Sequence, residues 1–479
     1  MIEQNKFIAG AGGGGNKAKK TKKPFKAKDN LHSRQFYTVQ DLISEGEIEG
    51  FATPSKANIT DTSSDSYKNA ALKDIFLDNT PILNSQASNS NPAKKHFNFQ
   101  ETKFKFKFGT SNQSKMGGIA KSIRTPISIG TTVVNTTGDS SGAIAGAVTQ
   151  EIGDNSPNDN PDAVIVTLTW QQLQKFEDDG DIRGLTVNYR IQIKYANQSS
   201  FTTKVDTKVK GRTADPYSKD HRIALNGQFP VQVRVLRDTK DGTVGKKMSA
   251  FQFTALQEVF DDQSRHLDMA YFALRLDSIE FNSVPDRRYR IRGIKVKIPA
   301  SNNSGTVTVD KATGRVKYPN NYVFDGSMGA ATWTTCPALI LLDLLVNKRY
   351  GLGDHLAPDQ SNDATTYSNI DLYSFIAASK YANAEVDDSF GGKEARFACN
   401  VNINSSKEAF DVINDLAGVM RCMPIWSSGT LSLSQDKKLS PSYLFNLANV
   451  SEEGFTYEGS GLKTRHSVIS VAYMNMDSA

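Results

Sequence analysis

The residue types in this chain that could do chemistry are its histidines, its cysteines and its paired carboxylates. The six histidines are scattered, and Cys336, Cys399 and Cys422 are widely spaced. A zinc site needs closely spaced ligands such as CxxC or HxxxH, and neither pattern occurs. An odd number of distant cysteines also argues against a disulfide framework. We therefore expect buried, reduced thiols, no metal and no cofactor.

Three pairs of adjacent aspartates lie among polar residues in loop-like contexts: Asp178-Asp179, Asp261-Asp262 and Asp387-Asp388. General acid–base catalysis needs two carboxylates that face each other in different environments, whereas adjacent aspartates point apart or into water. The run Gly12–Gly15 lacks a following GK[ST] and a preceding strand, so we interpret it as a linker. We predict that the chain is not an enzyme.

Length and composition are those of a multi-domain globular protein. The chain has 479 residues, 38% of them hydrophobic and 23% charged, which suits about two to four domains. No apolar run approaches the roughly 18 residues of a membrane span. The N-terminus has no apolar core of the kind a signal peptide requires, so we expect the protein to be made in the cytoplasm.

The net charge of +6 comes entirely from residues 1–30, where eight lysines face only Glu3 and Asp29. Flexible glycines and mutually repelling lysines predict a disordered basic arm over 1–30. The arm would thread between subunits or contact an acidic partner. Nucleic acid is less favoured, because no aromatic stacking platform accompanies the lysines. The candidate partner-binding residues are Lys17, Lys19, Lys20, Lys22, Lys23, Lys26 and Lys28.

Residues 31–108 are predicted to be the first part of a β domain. The stretch Leu72–Leu83, with the turn-like Asp78–Pro81 in its middle, indicates a β-hairpin. In KFKFKFG, Phe104, Phe106 and Phe108 alternate with lysines, which places the rings on one face of a strand. A half-buried strand is favoured over a nucleic-acid surface.

Residues 109–162 are rich in Ser, Gly, Thr, Asn and Asp, and they are predicted to be a loop-rich insertion. Residues 163–300 are predicted to form β-barrel or β-sandwich domains. The strands expected there are 163–169, 186–195, 203–210, 231–237, 270–276 and 289–298.

The last of these strands contains RYRIRGIKVKI, for which we predict one continuous strand with a bulge at Gly293. Its cations would line one side and present a candidate face for an acidic partner, or else a solvated strand face. These cations are Arg288, Arg290, Arg292, Lys295 and Lys297.

Residues 301–436 are predicted to be an α+β domain. A buried helix begins at Pro337 with Lys348 and Arg349 in its last turn and Gly351 at its exit, and a second helix covers 372–382. A capping box formed by Ser405 and Glu408 should start a third helix. Its apolar stripe is Phe410, Ile413, Leu416, Ala417 and Met420. Strands are expected at 431–435 and 468–473, and we expect residues 437–479 to be a β segment that leads into a missing continuation.

Several long segments resemble the host-specificity protein J family, the central tail-tip hubs of lambda-like siphophages. The resemblance lies in residues 27–50, 71–83, 287–303, 349–356, 390–400, 407–426 and 462–471. It implies a mainly β fold with an α+β C-terminal third, in a multi-domain hub of β-barrel or β-sandwich domains.

The resemblance also implies a function in the virion. Three copies would form a ring that joins the hexameric tail tube to a threefold tip. The implied partners are further copies of the chain, other tail-tip and tail-tube proteins and the tape measure protein, and assembly would take place in the host cytoplasm. A host receptor would be reached through a region that is not present here. The alternatives are a receptor- or glycan-binding tip module and a cell-wall-degrading tip enzyme.

The sequence departs from the family pattern in three places. Glu47 stands where a proline is expected in a turn, residues 109–162 match poorly, and relatives continue beyond Ala479. We therefore expect the segment 109–162 to be specific to this lineage.

Overall fold

The structure is a computed structural model. It describes residues 25–33, 36–99, 102–135, 137–138, 144–154, 160–242, 245–281, 283–357, 369–388, 390–404, 408–438, 440–459, 461, 465–468 and 470. Lys17, Lys19, Lys20, Lys22, Lys23 and Ser405 lie outside these ranges, as does most of the strand predicted at 468–473. No helix in the described part of the chain is long and apolar enough to cross a membrane.

The chain is mostly β, with its longer helices in the C-terminal third. The helices α1 to α6 are, in order, Ala52–Lys56, Asp65–Leu72, Pro337–Val346, Gly353–Leu356, Leu372–Ala382 and Ala409–Val419, and Lys94–His96 form a 3₁₀ turn. The strands β1 to β30 are, in order, Phe36–Glu45, Ile48–Phe51, Ile75–Leu77, Thr80–Pro81, Lys103–Phe108, Ala120–Ile123, Ile127–Val133, Thr137–Gly138, Ile144–Ala145, Val148–Ile152, Ala163–Trp170, Gln174–Phe176, Ile182–Arg183, Leu185–Tyr195, Thr202–Gly211, Tyr217–Ala224, Val231–Arg237, Lys247–Met248, Phe251–Asp261, Met269–Asp277, Arg287–Tyr289, Ile291–Ile294, Val296–Pro299, Thr308–Val309, Val316–Lys317, Met328–Thr332, Glu385–Asp387, Lys393–Ala395, Cys422–Ser427 and Thr430–Gln435.

A first β unit is built from two distant parts of the chain. Its central sheet has the order β1-β20-β5, with all pairings antiparallel, and β1 runs from Phe36 opposite Asp277 to Glu45 opposite Met269. Residues 36–108 therefore share one core with residues of the 269–299 stretch. The segments 31–108 and 163–300 were predicted as parts separated by the insertion 109–162, whereas the structure joins the first of them to the end of the second.

Phenylalanines from β5 and β2 form the centre of this core, as the alternation in KFKFKFG predicts. Phe51 is fully buried, with Phe272 stacked on it at 4.9 Å between ring centroids. Phe104, Phe106 and Phe108 meet Phe51 edge-on at 5.7–6.2 Å. Aromatic pairs in these geometries add about 0.5–1.5 kcal/mol each beyond area burial. The predicted hairpin is formed by β3 and β4, and Asp78 and Asn79 adopt the positive φ that a tight two-residue turn needs.

The residues that lie, along the chain, between the two parts of the first β unit form a β-sandwich. One sheet has the order β10-β17-β14-β15, and the other has β16-β11-β19, with β6 and β7 both pairing with β19. Alternate residues of β14, among them Val187, Tyr189 and Ile191, are fully buried between the sheets. The predicted strands in 163–237 are confirmed with small changes of length. The segment 109–162, predicted to be loop-rich, contributes β6, β7 and β10 to the two sheets.

The C-terminal third packs helices α3, α5 and α6 against the hairpin β29–β30. Pro337 begins α3, and six of its ten residues are buried. The chain then folds back so closely over the end of α3 that a Cβ at Gly351 would lie 2.1 Å from the Leu344 carbonyl oxygen. Helix α5 has the predicted bounds, whereas α3 ends at Val346, so Lys348 and Arg349 follow the helix instead of closing it.

The third helix differs from its prediction at the N-terminus. It begins at Ala409, with Glu408 as the N-cap residue and no side-chain cap, so Glu408 is not the third helical residue of a capping box. Leu416, Ala417 and Met420 are buried as expected, but Phe410 is 68% exposed. The stripe therefore buries only its C-terminal half, because β29 and α3 pack against that end of the helix.

The three cysteines are unpaired. Cys336 is fully buried with its Sγ 3.1 Å from the Ser379 hydroxyl, Cys399 is also buried, and Cys422 packs half-buried against the same core. Burial raises the pKa of Cys422 to about 11, so its thiol stays protonated at neutral pH.

Candidate functional site: the seam between the first β unit and the α+β unit

The stretch RYRIRGIKVKI forms the seam between the first β unit and the α+β unit. It does not form one bulged strand. It divides into β21, β22 and β23, which pair with β3, β2 and β26 respectively. Each piece finds its partner in a different part of the fold, so the cations of the stretch point toward different neighbours.

The first cation lies just before the quoted stretch and is held by a carboxylate on β1. Arg287 donates from Nε and Nη2 to the two Asp41 carboxylate oxygens, each at 2.7 Å, and the Tyr289 hydroxyl donates to Asp41 Oδ2 at 2.5 Å. Burial raises the pKa of Asp41, but the hydrogen bonds from Arg287 and Tyr289 outweigh it and leave the pKa below its ordinary value. Asp41 is therefore an ionised structural acceptor at neutral pH.

A second carboxylate, Asp74, is completely buried at the end of α2. It accepts the Thr53 backbone N–H at 2.6 Å, the Thr53 hydroxyl at 2.8 Å and Arg290 Nε at 2.8 Å. Burial raises the pKa of Asp74 despite these three donors. The contact joins α1, α2 and the residue between β21 and β22.

The remaining cations are also used within the chain or at its surface. The buried Arg292 guanidinium lies 4.3 Å from the ring centroid of Trp333, and Lys295 donates to Glu47 at 2.7 Å. Glu47, the residue in place of an expected proline, thus has an ion-pair role that a proline could not fill. The exposed Arg288 pairs with Asp286. The interpretation of this stretch as one basic face for an acidic partner is wrong, and so is the alternative of a single solvated face.

A cleft of about 980 Å³ lies along the seam. Asp41, Arg287 and Tyr289 line it from the first β unit, and Trp333 and Asp343 line it from the α+β unit. The cleft is therefore the place where the two units meet.

Helix α3 contributes a partly buried carboxyl group to this seam. The Tyr350 hydroxyl donates to Asp343 at 2.6 Å, and the Tyr350 ring packs so tightly on Gly46 that a Cβ there would lie 2.8 Å from Cε1. Arg349 donates to Glu45 at 2.5 Å beside this contact. Burial raises the pKa of Asp343 to about 6, against the opposing effects of the Tyr350 hydrogen bond and Lys297.

This arrangement does not resemble a catalytic pair. Asp41 is fixed by two donors, and the raised pKa of Asp343 arises from burial beside its tyrosine partner. No group of three or more His, Cys, Asp or Glu side chains in the described ranges could hold a metal ion. The role that the seam supports is structural: the contacts of Arg349 with Glu45, Tyr350 with Gly46 and Arg292 with Trp333 join the two units.

One aspartate of each adjacent pair has a partner within the chain. Asp178 pairs with Lys246, and Asp261 pairs with Arg222. Asp388 accepts the backbone N–H groups of Phe390 and Gly392 at 2.8 Å, which closes the turn between β27 and β28.

The sequence did not single out Asp74 or Asp343 for a role. Asp74 lies between Lys73 and the apolar Ile75 in LKDIF, and Asp343 stands alone in the apolar run LLDLL. A carboxylate inside an apolar run must find a donor when the run is buried, and this is the signal that identifies them.

The end of the predicted arm is attached to the sandwich. Phe25 donates its N–H to Asp181 at 2.8 Å, the backbone of residues 25–27 exchanges hydrogen bonds with Ile182, and Arg212, 3% exposed, donates to the Ala27 carbonyl at 2.8 Å. Residues 25–30 therefore do not belong to the disordered arm as predicted. Lys26 and Lys28 remain exposed on this attached segment.

Comparison with known proteins gives the family resemblance a firm basis. Residues 147–262, which include most of the sandwich, match the family model for the FNIII-A domain of tip attachment protein J. Tip attachment protein J of Escherichia phage SECphi4 is 27% identical over 476 residues, covering 98% of this chain and 36% of that protein. The same protein of Escherichia phage SECphi27 is 27% identical over 478 residues, with 98% and 34% covered.

The resemblance to the protein J family is confirmed. The chain spans about a third of the length of the curated relatives that it matches. The match to an FNIII-A domain also agrees with the mainly β, multi-domain architecture with helices toward the C-terminus. Among solved structures, Eiger TNF from S. frugiperda aligns with 10% identity over 29% of this chain and 67% of that chain, with a TM-score of 0.12.

Proposed function

We propose that this chain is a structural component of the tail tip of a long-tailed phage and acts as its central hub. Three copies would join the hexameric tail tube to a threefold tip and connect it to the host-recognition apparatus. The observation that carries the proposal is the similarity to tip attachment proteins J over 98% of the chain. The chain would assemble in the host cytoplasm, without an enzymatic activity of its own.

The seam supports a structural role. Asp41 and Asp74 hold together the two distant segments of the first β unit. The contacts of Arg349 with Glu45, of the Tyr350 ring with Gly46 and of Arg292 with Trp333 join that unit to the α+β unit. A hub that transmits force between a tube and a tip needs such rigid connections. Its partners would be other copies of itself, tail-tip and tail-tube proteins and the tape measure protein, whereas a host receptor would be met by parts of the relatives that lie beyond this chain.

The test combines the mass of the purified chain with images of the particle. Light scattering should give three times the mass of one chain, and averaged images should place threefold-related copies at the tail tip. A chain that is monomeric in solution and in the particle would overturn the hub proposal.

We further propose that the lysines of the arm bind an acidic surface of a neighbouring tail protein. Replacing Lys17, Lys19, Lys20, Lys22 and Lys23 by Gln should reduce tail assembly. The difference from the wild type should shrink as salt rises, because exposed charges are screened over about 8–10 Å at physiological ionic strength. The matched control replaces the same five lysines by Arg, which keeps the charge and should preserve assembly. Equal yields from both variants would contradict a role for charge.

A further inference from the structure

Residues 443–458, which we call the acidic–aromatic segment, are exposed in a single chain. They contain no helix or strand, and in the described structure their hydrogen bonds are local, such as Asn449 Nδ2 to the Leu444 carbonyl at 2.9 Å. Phe445 is 64% exposed and Tyr457 is 88% exposed. The segment carries Glu452, Glu453 and Glu458 and no lysine or arginine.

The α+β unit presents a surface with the complementary properties, which we call the basic–apolar surface. The Arg396 guanidinium lies 4.4 Å from the ring centroid of Tyr381, and the Lys437 ammonium lies 5.8 Å from the same centroid. Neither cation has a carboxylate partner among the described residues. In the same hairpin, where the first residue of β29 pairs with Gln435, two residues before Lys437, β29 exposes Met423 by 67% and Ile425 by 40% on one side of the strand.

The apolar part of each feature is unfavourable when left in water. Aromatic side chains have roughly 150–250 Å² to bury, and the segment exposes four of them: Tyr443, Phe445, Phe455 and Tyr457. Monomeric proteins seldom expose an apolar patch larger than about 300–600 Å². The uncompensated cations of the basic–apolar surface and the uncompensated glutamates of the segment are opposite in sign, so the two surfaces suit each other.

We propose that the acidic–aromatic segment of one copy docks on the basic–apolar surface of a second copy. Glu452 and Glu453 would meet Arg396 and Lys437, and the aromatic rings would cover Met423 and Ile425. The interface is heterologous, because two different patches of one chain pair head to tail. Such contacts close into a ring when the rotation between copies permits. This inference rests on the homotrimer proposed above and names the residues that hold it.

The experiment reverses charge on each side in the full chain. The variants E452K/E453K and R396E/K437E should each weaken association about tenfold or more, because like charges then face each other. One chain that carries all four changes restores opposite charges and should recover the wild-type assembly. The control K94E/K95E changes the net charge as much as R396E/K437E does, at two exposed lysines of the 3₁₀ turn, and should assemble normally.

The outcomes distinguish the inference from the proposal on which it rests. Thermal melting first checks that each variant is folded. If the wild type is trimeric and both reversed variants remain trimeric, the inference is overturned while the trimeric hub stands. If the chain with all four substitutions does not recover the wild-type assembly, the two surfaces do not meet. If the wild-type chain is monomeric at every concentration, both are overturned.

Discussion

Arg290 donates to the carboxylate of Asp74 at 2.8 Å, and this carboxylate is fully buried whereas the arginine side chain is 49% exposed. The two partners therefore differ in what their loss would leave behind. Removal of Asp74 leaves the Thr53 N–H without its acceptor and opens a cavity. Removal of Arg290 leaves Asp74 with two Thr53 donors and the option of binding a proton.

We predict that D74A destabilises the protein by about 3–5 kcal/mol and R290A by about 1–2 kcal/mol. Denaturant titration at neutral pH measures both. R288A, at an exposed arginine paired with Asp286, should have almost no effect. A larger loss for R290A than for D74A would contradict this account of the seam.

Asp343 should make stability depend on pH in the direction opposite to most carboxylates. Its folded-state pKa of about 6 lies above the ordinary value of 3.8, so the folded protein keeps a proton that the unfolded chain releases between these values. Its favourable contribution is complete below about pH 4 and is lost as pH rises through 6. D343N, which stays neutral and still accepts the Tyr350 hydroxyl, should add about 1–3 kcal/mol at pH 7.5 and little at pH 4.

Asp325 provides the control for this prediction. Hydrogen bonds from the Ser327 backbone and Asn302 lower the pKa of Asp325, which is exposed to solvent. Its favourable contribution is present at neutral pH and is lost as pH falls, so D325N should destabilise at pH 7.5. An equal effect of D343N on stability at both pH values would show that the pKa of Asp343 is not raised by its environment in the folded protein.

Gly351 allows a sharp test of how closely the chain returns over α3. G351A would place a methyl group 2.1 Å from the Leu344 carbonyl oxygen, and the main chain must move to accept it. We expect a loss of about 2–4 kcal/mol. G293A is the matched control, because no atom lies within 4 Å of a Cβ there, and a comparable loss in both variants would contradict the predicted close approach.

Arg212 should determine how firmly the end of the arm is attached. R212A removes the donor to the Ala27 carbonyl and the ion pair with Asp29. Hydrogen exchange at the amides of Ala27 and Asn30 should become about tenfold faster, because local opening then costs less free energy. R222A, which removes an ion pair with Asp261 at another site, should leave these two amides unchanged.

The family and much of the secondary structure could be predicted from the sequence, because both depend on patterns within a few residues. Period-two alternation identified β5, β14 and β17, and a continuous apolar run identified α3. Strand β19 was missed because its register shifts between Phe253 and Ala255, which interrupts the alternation. The capping-box pattern predicted Glu408 inside the first turn of the helix, whereas the helix begins at Ala409 with Glu408 as its N-cap residue.

By itself the sequence determined which residues favour burial, where the chain makes tight turns and which family it resembles. Only the tertiary structure decided that Phe36 pairs opposite Asp277, that Arg290 of RYRIRGIKVKI pairs with the buried Asp74, and that residues 25–30 attach to the sandwich. The physical reason is that the preference of a residue for burial depends on its type and on the spacing of apolar residues near it in the sequence. The choice of a partner some 200 residues away depends on which surfaces the folded chain brings together, and no local pattern specifies it.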